Sequence, residues 1–123
     1  MKHILTLLFF VFAATAGMAQ KLQKAVPKGS KVFIEAPSKP VLRVAFDKFA
    51  EWGYWQLAGS KEEADFLIYL YVEKRSSMDY NFSAEFVNKA NKTVYTTLNV
   101  NSAKPRGGVA KLIDKRIIEE IGE

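Results

Sequence analysis

Tyrosines stand at Tyr69, Tyr71 and Tyr95 in stretches where hydroxyl, amide and carboxylate side chains fall at alternate positions: Asn81, Ser83 and Glu85 in one, Thr97 and Asn99 in another. An aromatic ring offers a stiff contact surface and its phenol a polar handle, so this set, gathered on one sheet face, suits a glycan or a protein partner. The plain alternative is that tyrosine fits a half-solvated strand, where cross-strand pairs contribute roughly 0.2–1 kcal/mol each.

Lys104-Pro105-Arg106-Gly107-Gly108 is a second candidate. Glycine-freed backbone N–H groups opening a helix, flanked by Lys104 and Arg106, make an anion site. The stretch lacks the spacing of a phosphate-binding loop, and two glycines before a helix also serve as an ordinary turn.

Carboxylates come third. Glu62, Glu63 and Asp65 cluster before an apolar run, and Glu85 falls among the polar set. A glycosidase needs two acids facing each other across a cleft, which a small two-layer domain seldom provides. No calcium-loop spacing occurs either, so these acids read as solvated surface charge and no metal is expected.

Two absences narrow the chemistry further. The chain has no cysteine and one histidine, His3, within an N-terminal leader. With that leader removed, no Ser-His-Asp or Cys-His nucleophile, no zinc site of the usual type and no haem or iron–sulfur ligation by these residues can be built, and no cofactor is expected. The leader itself has the build of a secretory signal peptide. Met1-Lys2-His3 is a basic start, Ile4 to Ala14 is apolar except for Thr6, and Gly17-Met18-Ala19 places small residues for cleavage after Ala19. Ala14-Thr15-Ala16 is an alternative cleavage site. The apolar run falls short of the roughly 20 residues a spanning helix requires, so no transmembrane segment is expected in the mature chain. Without a cysteine there is no lipid-modified N-terminus, so a released periplasmic or secreted protein is expected. The formal net charge of +5 is spread over leader, loops and helices rather than gathered in a stripe, and no nucleic-acid partner is expected.

The elements that must position these groups follow from hydrophobic period. Residues 20–30, with lysines, Pro27 and Gly29, read as a flexible basic leader, and 31–123 as a single domain. Ala64 to Arg75 holds the unbroken run Phe66–Val72, the central strand, with Phe66, Ile68, Leu70 and Val72 on one face and Leu67, Tyr69 and Tyr71 on the other. Lys31–Ala36 is a first strand ended by Pro37. Ser38 caps a helix whose inward positions are Leu42, Ala45, Phe46, Phe49 and Trp52, and Gly53 ends it. Tyr54–Leu57 is a short second strand, and Ser60 to Glu63 has capping-box spacing.

Tyr80, Phe82, Ala84 and Phe86 alternate with Asn81, Ser83, Glu85 and Val87. After a turn at residues 88–92, Val94, Thr96, Leu98 and Val100 alternate with Tyr95, Thr97 and Asn99. These strands form a hairpin that places Tyr95, Thr97 and Asn99 beside Tyr69 and Tyr71. A last helix over 109–121 turns Val109, Leu112, Ile113, Ile117 and Ile121 inward. The order β-α-β-β-β-β-α predicts an α+β two-layer sandwich: a mixed, mainly antiparallel sheet of about five strands with two helices on one face.

The leader ending in Ala19-Gln20, Trp52 to Trp55, the Glu62 to Phe66 run entering a strand and the Lys111 to Lys115 helix together resemble a set of small exported bacterial proteins. The element order is also similar to small α/β envelope domains, the TolB N-terminal domain and LptE-like proteins. That resemblance implies a cell-envelope setting and brings no catalytic residues with it. The sequence thus points to an exported, non-catalytic binding or assembly module acting through its aromatic and polar sheet face on an envelope protein or glycan. The competing classes are a small carboxylate-dependent enzyme and a structural homodimer.

Overall fold

In the computed structural model, which describes residues 18–122, the run Phe66–Val72 lies inside β3 (Phe66–Ser76), the centre of the sheet. Helix α1 (Met18–Ala25) comes first, followed by β1 (Lys31–Glu35), α2 (Lys39–Trp52) and β2 (Gln56–Leu57). Beyond β3 run β4 (Asp79–Asn88), β5 (Val94–Thr96) and β6 (Val100–Ser102). The last helical stretch is α3 (Pro105–Ile113), a π-helical turn Asp114–Ile118 and a final α4 (Glu119–Ile121).

The six strands are ordered β2-β1-β3-β4-β5, with β6 also pairing β4. β1 runs parallel to β2 and β3, and the rest of the sheet is antiparallel. The helices lie against one face, so the architecture is the α+β two-layer sandwich expected from the element order.

The expected faces of β3 and β4 hold. Ile68 and Leu70 point into the core with Phe82, Ala84 and Phe86, while Tyr69, Tyr71, Ser83 and Glu85 share the other face. Helix α2 begins as expected: Ser38 Oγ accepts from the Val41 N–H at 3.5 Å and Pro40 fits the first turn. Gly53 ends it with φ 69°, a left-handed conformation that glycine adopts without a Cβ penalty.

The buried stripe of α2 differs from the expected one. Val41, Ala45 and Phe49 are buried, whereas Leu42 and Phe46 are 36% and 48% exposed. The helix must satisfy two neighbours, and periodicity shows one stripe only. Lys48 Nζ meets both Asp114 carboxylate oxygens at 2.9 Å, so the 41/44/48 side faces the last helical stretch while 42 and 46 lie outside.

The stretch expected to be a flexible leader contains α1. Leu22 and Val26 are fully buried, and the Val26 carbonyl accepts from Trp55 Nε1–H at 2.9 Å. Polar neighbours hid this pattern: Leu22 and Val26 sit one helical turn apart, and Gln23 and Lys24 lie on the wet side. The expected signal peptide 1–19 lies, except for its last two residues, outside the described residues. Among the described residues no helix is long and apolar enough to cross a membrane.

The expected single final strand is broken. Phe86 pairs with Tyr95 and Phe82 with Val100, so both ends turn inward and Leu98 and Asn99 take up the change of phase. The capping box at Ser60–Glu63 is also displaced: Glu63 Oε1 accepts from the Gly59 N–H at 3.3 Å, and the segment is a turn.

Candidate functional site

The face of the sheet opposite the helices carries the polar and aromatic set. Backbone register arranges it in rows. One row crosses four strands as Glu35, Tyr69, Glu85 and Thr96, and the next holds Tyr71 beside Ser83. Asn81 follows, flanked by Glu73 and Asn101.

Two polar links tie the face together. Tyr71 Oη–H donates to Glu85 Oε1 at 2.9 Å, and Lys61 Nζ meets Glu35 Oε1 at 2.8 Å. The hydrogen bond to Glu85 raises the Tyr71 phenol above its ordinary pKa, with burial and the nearby negative charge adding to it. Lys61 is raised chiefly by its hydrogen bond and ion pair with Glu35. Tyr71 remains 48% exposed, so its ring stands open to a partner.

Tyr95 and Thr97 do not belong to this face, contrary to the sequence expectation. Tyr95 is 8% exposed and packs edge-on against Phe86, their ring centroids 6.1 Å apart. Burial raises its phenol pKa, with Glu120 adding to the effect. Thr97, 5% exposed, closes the core with two bonds: its N–H donates to the Ala84 carbonyl at 2.9 Å and its Oγ1 accepts from the Ala84 N–H at 3.0 Å. Asn99 is exposed in the break, its carbonyl accepting from Arg116 Nη2 at 3.4 Å. β5 carries a β-branched or aromatic residue at every position, each suited to either face, so its own pattern cannot choose a side. The facing Phe86 and Ala84 make that choice.

Sequence reasoning missed an apolar row on the same face: Phe33, Leu67, Val87 and Val94 lie side by side across β1, β3, β4 and β5. Each falls at an outward position of its own strand, and the row emerges only when the four registers are combined. Val94 is half exposed at the end of it.

The anion candidate divides. Gly108 is buried, and a Cβ there would lie 2.0 Å from Phe82 Cε2, so this glycine lets α3 approach β4. Its N–H already donates to the Lys104 carbonyl at 2.9 Å. Lys104, Arg106 and Gly107 are exposed beside an open cleft of about 470 Å³ shared with Ser38, which caps α2, and with Pro40 and Val41 in its first turn. Arg106 and Gly107 stand in the first turn of α3, where amides have no acceptor within their own helix. Glu62, Glu63 and Asp65 are all exposed, and no three acids, histidines or cysteines gather closely enough to hold a metal among the described residues.

These features define an α+β protein with helices on one side of its sheet and a mixed aromatic, acidic and apolar surface on the other. No family model matches the chain, and no curated protein matches it. Among solved structures it is similar to the PelC dodecamer from Paraburkholderia phytofirmans, with 12% identity, 69% of this chain and 86% of that chain covered, and a TM-score of 0.49. A variant of that protein in another crystal form gives 13% identity, coverage of 69% and 84%, and a TM-score of 0.47.

Proposed function

We propose that this chain is an exported, non-catalytic binding or assembly module of the bacterial cell envelope, and that it takes its partner on the open sheet face. The observation carrying this reading is the arrangement of Tyr69, Tyr71, Ser83 and Glu85 beside the apolar row Phe33, Leu67, Val87 and Val94. Rings and aliphatic groups supply desolvated contact, and the hydroxyls and carboxylate supply direction, which suits an envelope protein or a glycan. The signal-like leader and the resemblance to envelope domains support the setting.

The test labels amides for NMR titration with soluble oligosaccharides, and places a photo-crosslinking residue at position 71, or at position 46 on the helical layer, in living cells. Shifts at Tyr69, Tyr71, Ser83 and Glu85, or crosslinks at 71 and not 46, are expected. The shifts should disappear in a Tyr69→Ser/Tyr71→Ser variant, and the crosslink at 71 should weaken when Tyr69→Ser is added, each with circular dichroism unchanged. Crosslinks at 46 alone, or shifts confined to the helices, would overturn the assignment.

A further inference from the structure

Helix α1 stops at Ala25, and the chain turns back toward β1 through Pro27 and Gly29, the latter at φ 87°. At this end of the sandwich Phe66, Phe86 and Tyr95 are buried on the inner side of β3, β4 and β5. Between these rings and Ala25 and Val26 of the α1 end lies a recess of about 250 Å³, with Asn88 also in its wall. A wider, more open cleft of about 540 Å³ adjoins it and shares Phe66 and Asn88. Asp65 and Lys89 place one charge of each sign on that cleft.

The chemistry of the wall selects what fits. Phe66, Phe86 and Tyr95 favour another ring, which aromatic groups take in offset or edge-on contact. An apolar cavity of about 150 Å³ suffices for benzene, so about 250 Å³ holds one ring with its first substituents. Asn88 adds direction. Its Oδ1 accepts from the Ala90 N–H at 2.9 Å and the Asn91 N–H at 3.3 Å, which fixes the side-chain amide and leaves Nδ2–H to donate where the two spaces meet. A carbonyl oxygen a few bonds from the ring is its complement. The opposite charges of Asp65 and Lys89 favour no net charge on whatever extends into the cleft.

We propose that this recess is a binding site for a neutral aryl group carrying a nearby carbonyl, supplied by a small aromatic amide or by an aromatic side chain of a peptide. The site lies on the inner side of the sheet, so it goes beyond the reading of the open face and stands apart from it. Trp55 reports occupancy. Its ring centroid is 5.5 Å from that of Phe86, and its indole N–H donates to the Val26 carbonyl at 2.9 Å. A ring entering against Phe86 and Val26 therefore shifts the Trp55 indole resonance, although Trp55 is not itself in the wall.

The experiment follows amide and indole N–H resonances while the purified protein is titrated with N-acetylphenylalaninamide, and separately with an end-blocked pentapeptide holding phenylalanine between glycines. Saturable shifts at Ala25, Val26, Phe66, Asn88 and the Trp55 indole are expected, with a Kd of about 1 mM for a ligand of this size. Tighter binding of the pentapeptide assigns the site to a peptide side chain, and equal binding to a small aromatic amide. N-acetylleucinamide should bind about five-fold more weakly, for want of ring contacts. Asn88→Asp keeps an acceptor for the Ala90 and Asn91 amides but removes Nδ2–H. It should weaken N-acetylphenylalaninamide about five-fold and leave the affinity for toluene, which has no carbonyl, unchanged. Ala25→Leu fills the recess with a good helix former and should abolish the shifts, the fold being verified by circular dichroism. Absence of saturable shifts, or shifts confined to the open sheet face, would overturn the proposal. So would equal affinity for the leucine probe, or binding that survives Ala25→Leu.

Discussion

Tyr71 and Glu85 are joined by a 2.9 Å hydrogen bond running diagonally between β3 and β4, from a phenol on one strand to a carboxylate on the next. The bond needs the phenol proton, so it raises the Tyr71 pKa. A raised folded-state value means that the contribution is fully present below the unfolded phenol's pKa of about 10 and is lost as pH rises through the folded value. Lys61, held by Glu35, shifts in the same direction, as does buried Tyr95. Stability should therefore decline on the alkaline side, and ultraviolet tyrosinate titration should show one phenol fewer at high pH in Tyr71→Phe. In Glu85→Gln the Tyr71 phenol should move down toward the ordinary range.

Gly108→Ala tests the approach of α3 to β4. Alanine is normally about 1 kcal/mol better than glycine inside a helix. Here its methyl would enter the Phe82 ring, and overpacking of this kind costs typically about 1–3 kcal/mol. Urea denaturation should show net destabilisation, and a double-mutant cycle with Phe82→Leu should show coupling. A stabilised Gly108→Ala would mean that the helix stands farther from the sheet.

Leu22→Ala asks whether the lysine-rich N-terminal stretch belongs to the fold. Removing a fully buried leucine costs about 2–5 kcal/mol. Chemical denaturation should show a loss in that range, while Lys24→Ala, on the exposed side, should change little. Equal, small effects would identify the stretch as a tail.

Thr97→Val removes the acceptor for the Ala84 N–H while keeping the side-chain shape. A buried donor left unpaired costs about 1–3 kcal/mol. Thr96→Val, on the exposed face one residue earlier, should be close to neutral in the same thermal or urea measurement.

Most of the sheet could be read in the chain because Phe66–Val72 and Tyr80–Val87 each carry an unambiguous inside and outside. Tyr69, Tyr71, Asn81, Ser83 and Glu85 consequently fall where their positions in the pattern put them. Tyr95 and Thr97 were misplaced for a physical reason: every residue from Val94 to Thr97 tolerates either face, so the choice passes to Phe86 and Ala84 in the opposing strand. Helix α2 shows the same limit, since the rotation that buries Val41 and exposes Phe46 is tied to Lys48 meeting Asp114, distant in sequence. The apolar row escaped for a third reason, because it belongs to four strands at once.

Helix α1 packs against α4, so the earliest and latest elements of the described chain are neighbours. Although Val26 can meet Trp55 well before that, a polypeptide emerging amino end first therefore leaves the contact between α1 and α4 unmade until almost every other residue has appeared. The whole loop between them must then close before that corner of the interior is sealed. Anything that holds α1 away from the body during that interval leaves that corner of the interior unsealed.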